Sequence, residues 1–148
     1  MDDHLPESTI MTHEEMLRAN GFDLCSPVSA SMLPMVRPRR DSLLFARPQG
    51  RLRRYDVALY KRGGATIMHR VIAVKQDGYI IRGDNAREKE HVADAQVIGV
   101  MTGFYRDETF IPADDRRYRW YARLIVLAHP MLPLAKKLRR LMKRWRKK

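Results

Sequence analysis

Apolar residues in this chain come in short runs cut by Gly, Pro and Asp. Ser42-Leu43-Leu44-Phe45-Ala46 is one run, and Asp56-Val57-Ala58-Leu59-Tyr60-Lys61 is a second, with apolar residues at alternate positions. Thr66 to Val74 and Gly78 to Arg82 make a predicted hairpin about Gln76-Asp77-Gly78, and Gln96 to Tyr105 is the last strand. Gly63-Gly64 is a further hairpin signal. Side chains alternate across a strand, so this period, with its β-branched and aromatic residues, predicts five short strands. Helical signals are fewer. Residues 1–11 read as a loose start, after which Thr12-His13-Glu14-Glu15 is a capping box that opens a short helix closed by Asn20-Gly21. After Pro133, Leu134, Leu138, Leu141, Met142 and Trp145 fall on one helical face. The expected fold is therefore mainly β. It divides into a segment 1–24 with a short helix, a compact β-domain over 25–113, and a basic amphipathic tail over 114–148.

Charge sharpens that last boundary. Of the 29 Lys and Arg residues, 13 lie from Arg116 onward, where none of the 17 Asp and Glu residues is found. The body before Arg116 is then close to neutral, and the tail carries the whole excess. A basic domain would point to nucleic acid; a basic tail on a neutral body points to an anionic surface that residues 116–148 alone touch. The apolar run Leu124 to Ala135 is interrupted by Pro130 and Pro133 and falls short of the roughly 20 residues a spanning helix needs. The pattern after Pro133 is that of a helix lying on a membrane surface, against the alternative of a helix that covers the β-domain. Met1-Asp2-Asp3-His4-Leu5-Pro6-Glu7 is acidic and has no apolar run, so no signal peptide is read there. The expected location is the membrane periphery on the cytoplasmic face.

At 148 residues the chain has room for one domain with a core and an appendage. Its single cysteine, Cys25, gives no sign of an oxidising compartment, and no Cys/His cluster has zinc-site spacing. With no Walker-type loop and no GxGxxG turn, neither a metal nor a cofactor is expected. Nothing in the pattern bears on oligomeric state.

What remains is a set of side chains suited to nucleophilic catalysis. Ser31 lies in Ser29-Ala30-Ser31-Met32-Leu33-Pro34, where Pro34 and Pro38 restrict the backbone and so fix the angle of a hydroxyl. Ser29 can aim a second hydroxyl near the same point and, with the Ser31 amide, form an oxyanion hole. His69 lies on the apolar strand Ile67 to Val74, with Val71 and Ala73 expected on its face. Asp84, in Gly83-Asp84-Asn85-Ala86, suits either an Asx turn or an orienting acid, with Glu88 and Glu90 as rival carboxylates. Each feature has a plain structural reading too: a polar turn, a hydrogen-bonded strand histidine, a hairpin-closing aspartate. Lys61 and Lys75, at strand ends, are weaker candidates for a base.

Ser31-Met32-Leu33-Pro34, His69-Arg70-Val71-Ile72, Gly83-Asp84-Asn85-Ala86 and Val97-Ile98-Gly99-Val100 occur in the order and approximate spacing of the signal peptidase I family. Over roughly residues 25–105 the chain resembles the branch with histidine where typical bacterial members carry a catalytic lysine, the endoplasmic-reticulum and archaeal type. The resemblance implies a signal-peptidase or LexA-like β-domain and a serine endopeptidase acting on a leader or signal-like peptide of a preprotein. Ser31 would be the nucleophile, His69 the base, and Ser29 the hydroxyl that completes the oxyanion hole. In the histidine branch the orienting aspartate lies several residues past the Gly-Asp-Asn turn; the matching slot holds Glu90, so Asp84 and Glu90 compete for that role. The family's Gly-Asp after the serine box reads Arg40-Asp41 here, and the later one reads Tyr55-Asp56. Family members carry a membrane-spanning segment before the serine. The residues before Ser31 hold no long apolar run, which gives the expectation of a short form without an N-terminal anchor. The alternative is a non-enzymatic or self-cleaving LexA-like regulatory module whose tail binds membrane or nucleic acid.

Overall fold

Local chemistry sets the first element of the structure, a computed structural model that describes residues 11–145. Thr12 caps helix α1 (His13–Asn20): its hydroxyl accepts the Glu15 amide, and the Glu15 carboxylate accepts the Thr12 amide at 2.7 Å. Gly21, at φ 78°, ends the helix in the left-handed region that favours glycine. The expected loose start, beyond Met11, lies outside the described residues, as does the Trp145 side chain.

Eight antiparallel strands follow: β1 (Phe22–Cys25), β2 (Ser42–Ala46), β3 (Val57–Arg62), β4 (Ala65–Lys75), β5 (Gly78–Arg82), β6 (Glu90–Val92), β7 (Val97–Arg106) and β8 (Thr109–Pro112). Their order across the sheet is β1-β2-β7-β3-β4-β5-β6, with β8 beside β7. Strand β7 carries β2 along one edge, and β3 then β8 along the other. Gly63-Gly64 closes the β3–β4 hairpin with Arg62 opposite Ala65, as its two-residue spacing predicts. The mainly-β expectation holds. The five expected strands are all present, and β1, β6 and β8 are additional.

Two apolar layers sandwich the central strand. Val57 and Leu59 of β3 join Leu17, Met32, Met35, Leu43, Phe45, Met101 and Phe104 on one face. Ala58 and Tyr60 join Leu52, Val71, Tyr79, Ile81 and Val92 on the other. The alternation expected for this strand is therefore buried on both sides. In β4 the register slips between Val71 and Ala73, so Val71 stands opposite Ile81 and Ala73 opposite Ile80. That irregularity puts Ala73 on the other face from Val71, a correction to the simple alternation through His69.

The C-terminal tail is two helices with different fates. Asp115 caps α2 (Arg116–Ala128), and Tyr118 and Ala122 of that helix are buried in the first apolar layer. His129 is also buried, and its Nε2 lies 2.5 Å from the Ala86 carbonyl. Packing thus runs past residue 113, just as Leu17 carries it back past residue 24. Helix α3 (Leu132–Trp145) instead leaves Leu134, Leu138, Leu141 and Met142 at least 43% exposed. The amphipathic description applies to α3; α2 is part of the packed body. No helix among the described residues is long and apolar enough to cross a membrane.

Candidate active site

The serine turn is built from buried anchors outward. Met32, Met35 and Val36 sink into the core, and the 3₁₀ turn Ala30–Met32 rides above them with Ser31 at its centre. The Ser29 hydroxyl lies 3.0 Å from Ser31 Oγ and accepts, at 3.5 Å, from the Ser31 amide. Asn85 holds the turn from the far side: its backbone N–H donates to the Ser31 carbonyl at 2.8 Å, and its Nδ2 donates to the Ala30 carbonyl at 3.1 Å. Gly83 explains why that loop can come so close. A Cβ there would stand 2.7 Å from the Ser31 carbonyl oxygen and 3.0 Å from both Cδ2 and Nε2 of His69. The missing side chain lets the serine turn and the imidazole flank the same residue.

His69 presents its two nitrogens to different neighbours. Nε2 faces Gly83 and the serine turn, while Nδ1 lies 3.3 Å from Tyr60 Oη and 3.8 Å from Glu90 Oε1. The Tyr60 hydroxyl donates to Glu90 Oε1, so its oxygen is left to accept the proton on His69 Nδ1. That arrangement selects the tautomer whose Nε2 lone pair is free on the serine side, the form a general base needs. Burial holds the His69 pKa below its ordinary value, partly opposed by the Glu90 charge, so the ring is neutral at pH 7. Burial also pushes Glu90 upward, but hydrogen bonds from Tyr60 and from Arg62 Nη1 at 2.7 Å outweigh it and keep the carboxyl ionised. Among the described residues Ser31 Oγ meets Ser29 rather than His69; such bonds commonly tighten when substrate binds.

Asp84 is engaged elsewhere. Its carboxylate takes Arg70 bidentately, Nε to Oδ1 at 2.7 Å and Nη2 to Oδ2 at 2.8 Å, and Tyr121 donates to Oδ2 at 2.8 Å. Arg70 also donates to the Tyr118 hydroxyl at 3.0 Å and to the Tyr55 carbonyl at 2.9 Å. This closed network pins the Gly83–Asn85 loop, and the carboxylate beside His69 is Glu90. The other candidates lie apart: Lys61 pairs with Glu14, Lys75 and Glu88 are exposed, and His91 meets Asp77 at 3.1 Å.

Sequence reading missed Tyr60, Arg62 and Asn85. Tyr60 could have been found from the hairpin alone, since a two-residue turn at Gly63-Gly64 puts Ala58 opposite His69 and Tyr60 one diagonal away on the same face. Asn85 gives no such signal, because its partners Ala30 and Ser31 belong to a loop far earlier in the chain. No protein-family model matches the chain, and no curated protein matches it.

Proposed function

We propose that the chain is a membrane-peripheral serine endopeptidase of signal-peptidase-like chemistry that cleaves extended leader or signal-like peptides. Neutral His69 takes the Ser31 proton at Nε2 as Oγ leaves its bond to Ser29 and attacks the scissile carbonyl carbon. The Ser31 N–H and the Ser29 hydroxyl stabilise the oxyanion. The imidazolium, held by the Tyr60–Glu90 relay, then protonates the leaving amine, and a water activated by His69 frees the acyl group from Ser31. One observation carries the reading: Gly83 is flanked by the Ser31 turn and the Nε2 edge of a neutral His69 whose opposite nitrogen is tied to Tyr60 and Glu90. The sheet ends on β1 and β6, and an extended substrate can pair with such an edge as an added strand.

Helix α3 supports the membrane-peripheral part of this reading. Nine Lys and Arg follow Pro133 with no acidic residue, beside an exposed apolar face of Leu134, Leu138, Leu141 and Met142. An anionic bilayer accepts both, each basic residue contributing about 1 kcal/mol near such a surface.

A serine-reactive fluorophosphonate should label the wild-type chain at Ser31 and fail to label Ser31→Ala of unchanged melting temperature. Equal labelling of the two, or no labelling of a folded wild type that also leaves peptides uncut, would return the chain to a non-catalytic role.

A further inference from the structure

A second cluster of reactive groups lies away from Ser31, where α1 packs on the edge strand β1. Asp23 and Cys25 are two residues apart on β1 and so face the same way, both buried. His13, the first residue of α1, closes over them with its side chain 46% exposed. Its Nδ1 lies 2.5 Å from Asp23 Oδ2 and 3.4 Å from Cys25 Sγ, and Sγ lies 3.2 Å from Asp23 Oδ2. We infer that His13, Asp23 and Cys25 form a binding site for one zinc-class divalent cation, with the fourth position open to water.

Geometry excludes the rival chemistry. A Cys-His-Asp catalytic group needs the thiol and the carboxylate on opposite ring nitrogens. Here both address Nδ1, and the thiol is buried. Three different donor atoms facing a common centre is the arrangement of metal ligands. Zinc takes sulfur at ~2.3 Å and nitrogen or oxygen at ~2.0–2.2 Å, which sets tetrahedral ligand pairs about 3.3–3.6 Å apart. The sulfur pairs, at 3.4 and 3.2 Å, already stand close to that span; the Nδ1–Oδ2 pair must open by somewhat under 1 Å on a half-exposed histidine. A sulfur, imidazole and carboxylate set favours zinc over calcium or magnesium, which prefer oxygen alone.

The cation displaces the thiol proton, which leaves to solvent. The proton shared at the Nδ1–Oδ2 contact must also move for Nδ1 to coordinate. It leaves to solvent if the ring enters as imidazolium and passes through solvent to Nε2 if the ring enters neutral. The bound ring carries its one proton on Nε2 in both cases. The incoming charge also neutralises Asp23 and the new thiolate together. Such a clamp fastens α1 to the strand that leads directly into Ser29, independently of whether Ser31 is a nucleophile.

Cobalt(II) added to the full chain tests this, because one cysteine in the sequence means that a sulfur-to-cobalt charge-transfer band reports Cys25 alone. The band should appear at one equivalent and be bleached by zinc. It should vanish in Cys25→Ser, and His13→Gln should weaken cobalt affinity about tenfold or more while leaving the fold intact. Zinc should raise the melting temperature of wild type and not of Cys25→Ser. A folded wild-type chain without the band under excess cobalt, or a band whose affinity His13→Gln leaves unchanged, overturns the site. Neither result touches the fluorophosphonate labelling of Ser31.

Discussion

His69 and Arg70 are neighbours on β4, and the pleat sends them to opposite faces and opposite fates. His69 enters a partly open network of Tyr60, Glu90 and Arg62, with 15% of its side chain exposed and one nitrogen left toward the serine turn. Arg70, 1% exposed, enters a closed one in which Asp84, Tyr55, Tyr118 and Tyr121 leave no buried side-chain polar atom among the described residues without a partner. A chemical site keeps an unsatisfied atom within reach of solvent; a structural site spends all of its donors. Of the two rival carboxylates, Glu90 stands in the open network and Asp84 in the closed one.

Truncation of each neighbour should separate the two networks most. His69→Ala should lower kcat/KM by about 10⁴-fold on any confirmed peptide with an unchanged urea midpoint. Arg70→Ala should do the reverse: it leaves the Asp84 carboxylate buried without its partner and costs about 3–5 kcal/mol of stability. Peptide turnover per folded molecule should fall far less than in His69→Ala, because this network reaches the serine turn only through the Gly83–Asn85 loop; urea unfolding beside active-site titration reads both. Loss of activity without loss of stability in Arg70→Ala would merge the two networks into one.

The two carboxylates should differ in the same sense. In the proposed mechanism only neutral His69 can accept the Ser31 proton, and burial holds its pKa below 6.5, so kcat/KM should fall as pH drops through a midpoint below that value. Glu90 favours the charged ring, so Glu90→Gln should move the midpoint lower and reduce the plateau by about 10²-fold. Asp84→Asn should mainly lower the melting temperature. A pH profile of each variant decides the matter, and the opposite ranking would hand the orienting role to Asp84.

Smallest in effect on the chemistry is removal of α3. A chain ending at Met131 should cut soluble peptides within about twofold of wild type, yet lose its salt-sensitive binding to anionic vesicles. Tight RNA binding by the full chain, with no vesicle binding, would replace the membrane by nucleic acid. A chain ending before Arg116 should instead unfold, because it lacks Tyr118, Tyr121 and Ala122.

Much of the body was legible in the sequence. The capping box, the Gly21 stop, the Gly63-Gly64 turn and the limits of β2 and β5 are written in adjacent residues, where local propensity and packing agree. Strands β1, β6 and β8, three or four residues each, are too short to show a period. The docked part of the tail was hidden for a different reason. Tyr118 and Tyr121 look like aromatic residues in a basic helix until the Arg70–Asp84 pair supplies the charges they bond, Arg70 to Tyr118 and Asp84 to Tyr121. The same holds for His13 and Cys25, whose spacing matches no zinc motif and whose meeting depends on α1 folding back over β1.

Arg70 also imposes an order of events on synthesis. Its carboxylate partner Asp84 follows within 14 residues, but the two tyrosines that complete its shell arrive 48 or more residues later. A nascent chain halted before α2 emerges holds every strand of the sheet and an ion pair still short of its hydroxyl partners. The shell around the Arg70–Asp84 pair is therefore complete only once residue 121 has left the ribosome. By then Ser31 and His69 have long been made, so the last parts to join the loop behind the candidate site come from the last helix of the body.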